Sequence, residues 1–271
     1  MIASAETDLE TTYSTALCKG QGMVPETLTL LREWNPGLTS SGLYKKVLEN
    51  GSIPKATAGR VKDIVTRVFA PRYLAADAKP AEQLKPLLES GYLADHLSQI
   101  LLIYCTRTYP ELRDFIVEIY WGRYAAGAGY LYRQDSDVFF RNAYEAGKLP
   151  HKWTDTSRTK IARYLLGALT DFKLLGPAVK DHREILSFGI QEFTALYLVH
   201  DLHFSGQSDQ SLLTHPDWQI FGLESYDVLQ ELRAVASRGR FVIQHSGQIL
   251  RVSWGFSTME EFLDAAASGE L

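Results

Sequence analysis

The sequence predicts a mainly α protein: a helix-turn-helix N-terminal domain followed by a C-terminal winged-helix-like helical domain with short β-hairpins. Three observations carry this prediction. Apolar residues recur at three- and four-residue steps through most of the 271 residues. Residues 39–73 and 135–172 each read as two helices, the second of which carries an apolar stripe and a cluster of Lys and Arg. Residues 240–254 alternate apolar and polar around Ser246-Gly247, the pattern of a hairpin. The expected division is a flexible N-terminal arm over 1–22, a helical domain over 23–130 and the winged-helix-like part over 131–271.

The arm ends in Lys19-Gly20-Gln21-Gly22. Pro25 suits the first turn of a helix, where its missing N–H costs nothing, and Leu28, Leu31 and Trp34 follow at core spacing. Asn35-Pro36-Gly37 stops that helix. Thr39 caps the next, with Leu43, Tyr44, Val47 and Leu48 on one face and Asn50-Gly51 as its stop. Thr57 caps the third, whose buried stripe is Val61, Ile64, Val65 and Val68 and whose end is Ala70-Pro71. From Leu43 to Arg72 seven Lys/Arg face two acids, a local net of +5. Lys45, Lys46, Lys55, Thr57, Arg60, Lys62 and Arg67 are therefore candidate phosphate contacts of a helix-turn-helix DNA reader. The alternative is a structural helical hairpin whose charges are merely solvated.

Trp34-Asn35-Pro36-Gly37, Val47-Leu48-Glu49-Asn50, Lys55-Ala56-Thr57 with Arg60-Val61-Lys62-Asp63-Ile64, and Phe69-Ala70-Pro71-Arg72-Tyr73-Leu74 together resemble the N-terminal signature of the BrxA family. Its members are small proteins of BREX (bacteriophage exclusion) defence systems. The resemblance is most specific over 24–74 and looser to about residue 190. It implies a non-catalytic accessory protein that binds double-stranded DNA alongside other BREX proteins. The family has also been likened to a helical RNA-binding antitermination factor, which keeps an RNA reading open.

Residues 75–129 read as helical core. A helix from Pro80 to Ser90 ends at Gly91; Leu93, Leu97, Ile100, Leu101 and Tyr104 mark a longer one, and Pro110 opens the next. Tyr104, Tyr120, Trp121 and Tyr124 offer rings for base stacking, but at helical spacing packing is the simpler role. Beyond Asp135 or Ser136, either of which caps a helix carrying Val138, Phe139 and Tyr144, a second helix starts at a Thr156 or Ser157 cap. Two short strands, Leu174-Leu175 and 185–190, complete the order required of a winged helix. Lys148 to Arg163 carries five cations against Asp155, so Lys152, Thr156, Ser157, Arg158, Lys160 and Arg163 are candidate DNA contacts. A helix over 191–204 and another capped by Ser225 precede the hairpin. There His245 is expected to pair with Gln248, Ile243 with Leu250 and Phe241 with Val252, placing Arg240 and Arg251 near phosphates. Ser257-Thr258-Met259-Glu260 reads as a capping box for a last helix.

The formal charge of −4 excludes a wholly basic nucleic-acid coat, so contact must come from local patches. Opposing them, 181–231 holds nine acids and one cation, Arg183. Two cysteines and an acidic N-terminus without a basic-then-apolar order suit a cytoplasmic protein, and no apolar run approaches a membrane span. His200 and His203 stand at a spacing a metal can bridge, with no cysteines or further ligand pattern to support it. No nucleophile, phosphate-loop or dinucleotide motif appears, so no enzyme activity, cofactor or small-molecule substrate is expected. A nuclease with scattered carboxylates is the enzymatic alternative, and a protein–protein scaffold or an RNA-binding protein are the others.

Overall fold

Helix α1 (Val24–Glu33) has Pro25 in its first turn and buries Leu30, Leu31 and, just past its end, Trp34. In this computed structural model, which describes residues 12–75, 78–91, 94–149, 151–247 and 249–271, the expected caps of the first helix pair are in place. Thr39 accepts from the Gly42 N–H (3.2 Å) to open α2 (Ser40–Asn50), and Gly51 closes it at φ +62°. Thr57 does the same for the Arg60 N–H (3.2 Å) at α3 (Ala58–Asp63). Val61, Ile64, Val65 and Val68 are all buried.

Two expectations for this region are corrected. The helix does not end at Ala70-Pro71 but continues from α3 as a π-helical stretch, Ile64–Leu74, through the proline. With the ladder widened to i→i+5 and Phe69, Arg72 and Tyr73 buried, packing outweighs the one donor that Pro71 lacks. Nor is 12–22 a flexible arm. Tyr13 and Leu17 are buried, and Arg72 donates to the carbonyls of Gly20 (2.7 Å), Gln21 (2.7 Å) and Gly22 (2.9 Å). A buried guanidinium needs acceptors, and the strap, non-helical at residues 20–22 beyond its 3-10 turn Ala16–Lys19, supplies three free carbonyls there. Residues 1–11 of the expected arm lie outside the described residues.

Helix α4 (Lys79–Ser90) ends at Gly91, φ +67°. It is followed by α5 (Ala94–Thr108), whose expected start at Leu93 lies outside the described residues. Then α6 (Pro110–Asp114) runs through a π turn into α7 (Trp121–Ala125).

The second half opens with a strand the sequence reading missed, β1 (Tyr130–Tyr132), followed by α8 (Arg133–Glu145), α9 (Asp155–Asp171), β2 (Leu175–Val179) and β3 (His182–Ile185). The three strands form an antiparallel sheet in the order β1-β3-β2, with His182 opposite both Tyr132 and Val179. The strands therefore lie elsewhere than expected: β3 is paired on both sides, which pins its register, and Lys180-Asp181 form the turn. Helix α8 starts at Arg133, with Asp135 accepting from the Tyr132 N–H (2.8 Å) rather than serving as cap itself. Its buried face is Phe139, Phe140 and Ala143, while Val138 and Tyr144 are exposed. Thr154, not Thr156 or Ser157, caps α9 by accepting from the Ser157 N–H (3.2 Å).

Helix α10 (Glu192–Phe204) is buried on all sides from Phe193 to Leu202, and its Asp201 meets Arg107 of α5 (2.8 Å). Arg107 also holds Asp217 (2.7 Å), in the 3-10 turn Pro216–Phe221 after α11 (Asp209–Leu212). Glu224, not Ser225, caps α12 (Ser225–Val235). The hairpin β4 (Phe241–Ser246) and β5 (Ile249–Trp254) is shifted by two residues from the expected register. Ile243 lies opposite Val252 and Phe241 opposite Trp254, so the turn falls beyond Ser246, with Gly247 at φ +61° as tight hairpin loops require. His245 lies opposite Leu250, in place of the expected Gln248. A two-residue slip preserves the faces, and Phe241 and Leu250 are buried as expected. The last cap is Thr258 with Glu261, one residue along from the expected box: Thr258 accepts from the Glu261 N–H (3.1 Å) and Glu261 from the Ser257 N–H (2.7 Å). It opens α13 (Met259–Ala267), which packs on α4, and the buried residues from Tyr13 to Ala266 form one continuous core beneath both expected domains.

Candidate nucleic-acid interface

Three adjoining hollows flank α9. The largest, about 790 Å³, lies between α9 and the β2–β3 hairpin and is lined by Lys160, Arg163, Lys180, His182 and Arg183, with Arg133 from the start of α8. The second, about 530 Å³, opens between α9 and residues 21–26, which lead into α1, and shares Arg163 and Arg183 with the first hollow. Arg60 of α3 enters it from the opposite side. The third, about 340 Å³, between α8 and α9, shares Arg133 and adds Arg141 and Arg158. Eight Lys/Arg thus border one run from Arg141 to Arg60, against five carboxylates, Glu26, Asp137, Asp155, Asp171 and Asp181.

Arg183 sits where the two larger hollows meet. Its Nη1 donates to Thr170 Oγ1 (2.7 Å), which orients the guanidinium, and burial pulls its pKa below the ordinary arginine value despite the opposing field of Asp171. Such a cation lacks a full complement of counter-charge and gains from an approaching anion. Lys160 and Arg163 are exposed, Arg163 with its guanidinium 5.5 Å from the centre of the Tyr164 ring. Beneath them Cys18 is half-buried, and burial pushes its thiol up, away from the reactive thiolate.

The other expected contacts are distributed as follows. Thr156 lines the first hollow, while the Ser157 N–H is used by the Thr154 cap. Arg158 forms an ion pair with Asp155 one turn back. Arg60 reaches its hollow while donating to the Lys19 carbonyl (2.5 Å). Lys46 is bound to the Glu33 carbonyl (2.6 Å), and Arg67 pairs with Asp63 (3.3 Å). Lys45, Lys55, Lys62 and Lys152 are exposed and line none of the three hollows, and Thr57 is occupied as a helix cap. Arg240 pairs with Glu270 (3.1 Å) and lies over Phe256; Arg251 is exposed on the outer face of β5. Arg133, Arg141, Lys180 and Arg183 were not singled out from the sequence, because three of them border strands whose positions the pattern misplaced.

The remaining candidates are packing groups. Tyr104 is hydrogen-bonded to Tyr197 (2.6 Å), Tyr120 donates to the Leu186 carbonyl (2.9 Å) and Trp121 to the Ile220 carbonyl (3.1 Å), leaving Tyr124 partly exposed. His200 is enclosed by Phe241, Trp254, Phe256 and Phe262, with Nδ1 donating to the Leu196 carbonyl (2.8 Å); burial lowers its pKa to about 4. His203 stacks on Trp254 with ring centres 4.0 Å apart. Among the described residues no group of three or more His, Cys, Asp or Glu is placed to hold a metal ion, and no helix is long and apolar enough to cross a membrane.

No curated protein and no solved structure matches the chain. A family model does: the one described as BrxA matches residues 11–201, which takes in α1 to α9, the three-stranded sheet and most of α10.

Proposed function

The chain belongs to the BrxA family of BREX phage-defence components, and from that premise we propose that it is a non-catalytic accessory protein that binds double-stranded DNA. The reading places α9 in the major groove and the β2–β3 hairpin, as the wing of a winged helix, against the adjoining backbone. The observation that carries it is the continuous cationic run on both sides of α9, reaching Arg60 of the first helix pair. At 1.5 Å per residue the 17 residues of α9 span roughly 25 Å, the reach of a recognition helix across a groove. The preceding helical segment, β1, α8, α9, β2 and β3 also follow the order of a winged-helix module, with β1 pairing to β3.

A scaffold role has less support. Two of the acids that would offer a surface to a basic partner, Asp201 and Asp217, are buried and share Arg107 as an internal partner. The test is fluorescence anisotropy with unrelated duplexes across a salt series. Affinity should fall steeply with salt, and Lys160→Glu with Arg163→Glu should lower it about tenfold or more and reduce the salt slope by about two units. A flat salt response, or unchanged binding by that double variant, would overturn the assignment. Competition with structured and single-stranded RNA separates the duplex-DNA reading from an RNA one.

A further inference from the structure

Resting on the duplex-binding reading, we propose that Gln21 is a sequence-reading residue, and that the base it recognises is adenine. The outward stripe of α9 runs Thr156, Lys160, Arg163, Gly167, four positions spaced so that they share one helical face. At the fourth position there is no side chain. The side chain of Gln21 lies there instead: a Cβ on Gly167 would collide with the Gln21 amide oxygen. Gln21 thereby continues the stripe by one turn, and it lines the hollow between Arg60 and Arg163.

The backbone beneath this side chain is held from both sides. Arg72 binds the carbonyls of residues 20, 21 and 22, and Asp171 accepts from the Met23 N–H (3.1 Å). The flanking glycines let the strap lie flush: a Cβ on Gly20 would stand 2.5 Å from Met23 Sδ, and one on Gly22 2.5 Å from Asp171 Cβ. Gly20-Gln21-Gly22 therefore presents one side chain on a rigid support, and that side chain ends in a primary amide. A carboxamide offers a donor and an acceptor side by side, the complement of adenine N7 and N6 in the major groove, with Arg60, Arg163 and Arg183 placed for the phosphates around it. Rigid support matters because a probe ordered before binding loses little entropy on contact.

The experiment is selection of bound sequences from a randomised duplex pool, using the full chain, Gln21→Ala and Gln21→Glu, followed by anisotropy on the selected duplex and its single-base variants. The parent should select adenine at one position with about 5- to 150-fold preference. Gln21→Ala should lose that preference, and Gln21→Glu should move it to cytosine, whose exocyclic amine donates to a carboxylate. A parent that binds duplexes without preference, or an alanine variant that selects the parent's sequence, overturns the role of Gln21 alone. A parent that binds no duplex overturns the duplex reading and this inference together.

Discussion

The two basic helix pairs, α2–α3 and α8–α9, have much the same charge in the sequence and very different surfaces in the structure. In the first pair four of the seven cations, Lys46, Arg60, Arg67 and Arg72, are turned to internal use, while Lys45, Lys55 and Lys62 stay exposed. Lys46 holds Glu33, Asp63 gathers Lys19 and Arg67, and Arg60 is anchored to the strap. In the second, Arg158 is paired, but Lys160 and Arg163 stay exposed and the neighbouring hairpin adds Lys180 and Arg183. A local net charge of +5 and one of +4 thus give a buttress and an open face. What separates them is neighbours: the strap of residues 12–22 lies between the first pair and α9 and takes up Arg60, whereas the β2–β3 hairpin stands on the other side of α9 and leaves a hollow between.

Three measurements break or sharpen this contrast. The largest effect belongs to Arg72. Its removal leaves three carbonyls without their donor, at about 1–3 kcal/mol for each one that stays buried, so Arg72→Ala should lower stability by about 3 kcal/mol or more in chemical denaturation. A loss below about 1 kcal/mol would mean that the strap is not a structural part of the first pair.

Glu111 comes next. Burial raises its pKa to about 7 in the folded chain, against about 4.5 for the free group. Between these values the folded state keeps a proton that the unfolded state has lost, so stability should decline as pH rises through the window and level off above it. At about 1.4 kcal/mol per unit the decline is at most a few kcal/mol. Glu111→Gln should flatten the profile of melting temperature against pH; an unchanged slope would remove Glu111 as its source. The smallest effect is expected from Lys62→Glu with Arg67→Glu, which should change duplex affinity less than about threefold at a salt where the Lys160/Arg163 reversal costs tenfold. Equal losses would erase the distinction between the two helix pairs.

Much of the fold was legible because it depends on local chemistry. Thr39, Thr57 and Gly51 announce helix ends through hydrogen bonds and backbone angles set within a few residues. The faces of the β4–β5 hairpin were legible too, since period-two alternation survives a two-residue slip even when the loop is misassigned. What stayed hidden depends on distant partners. β1 is three residues long and owes its existence to β3 some fifty residues later. The passage of a helix through Pro71 depends on what Phe69, Arg72 and Tyr73 bury against. The site divides the same way. Lys160 and Arg163 could be found from the basic run on α9, while Arg133, Lys180 and Arg183 required the sheet, and Gln21 required knowing where the strap lies. One signal was available: Arg183 is the single cation in an otherwise acidic stretch.

The packing of α13 on α4 has a practical corollary. Phe262 stacks on Phe193 and on the His200 ring, so the last helix plugs an aromatic box built by α10 and the β4–β5 hairpin, while α13 also meets α4 in the first half. Cleavage in the link around residues 205–208 would leave two fragments that comigrate under native conditions and part only in denaturant, and expressing either fragment alone would lay bare its share of a common interior.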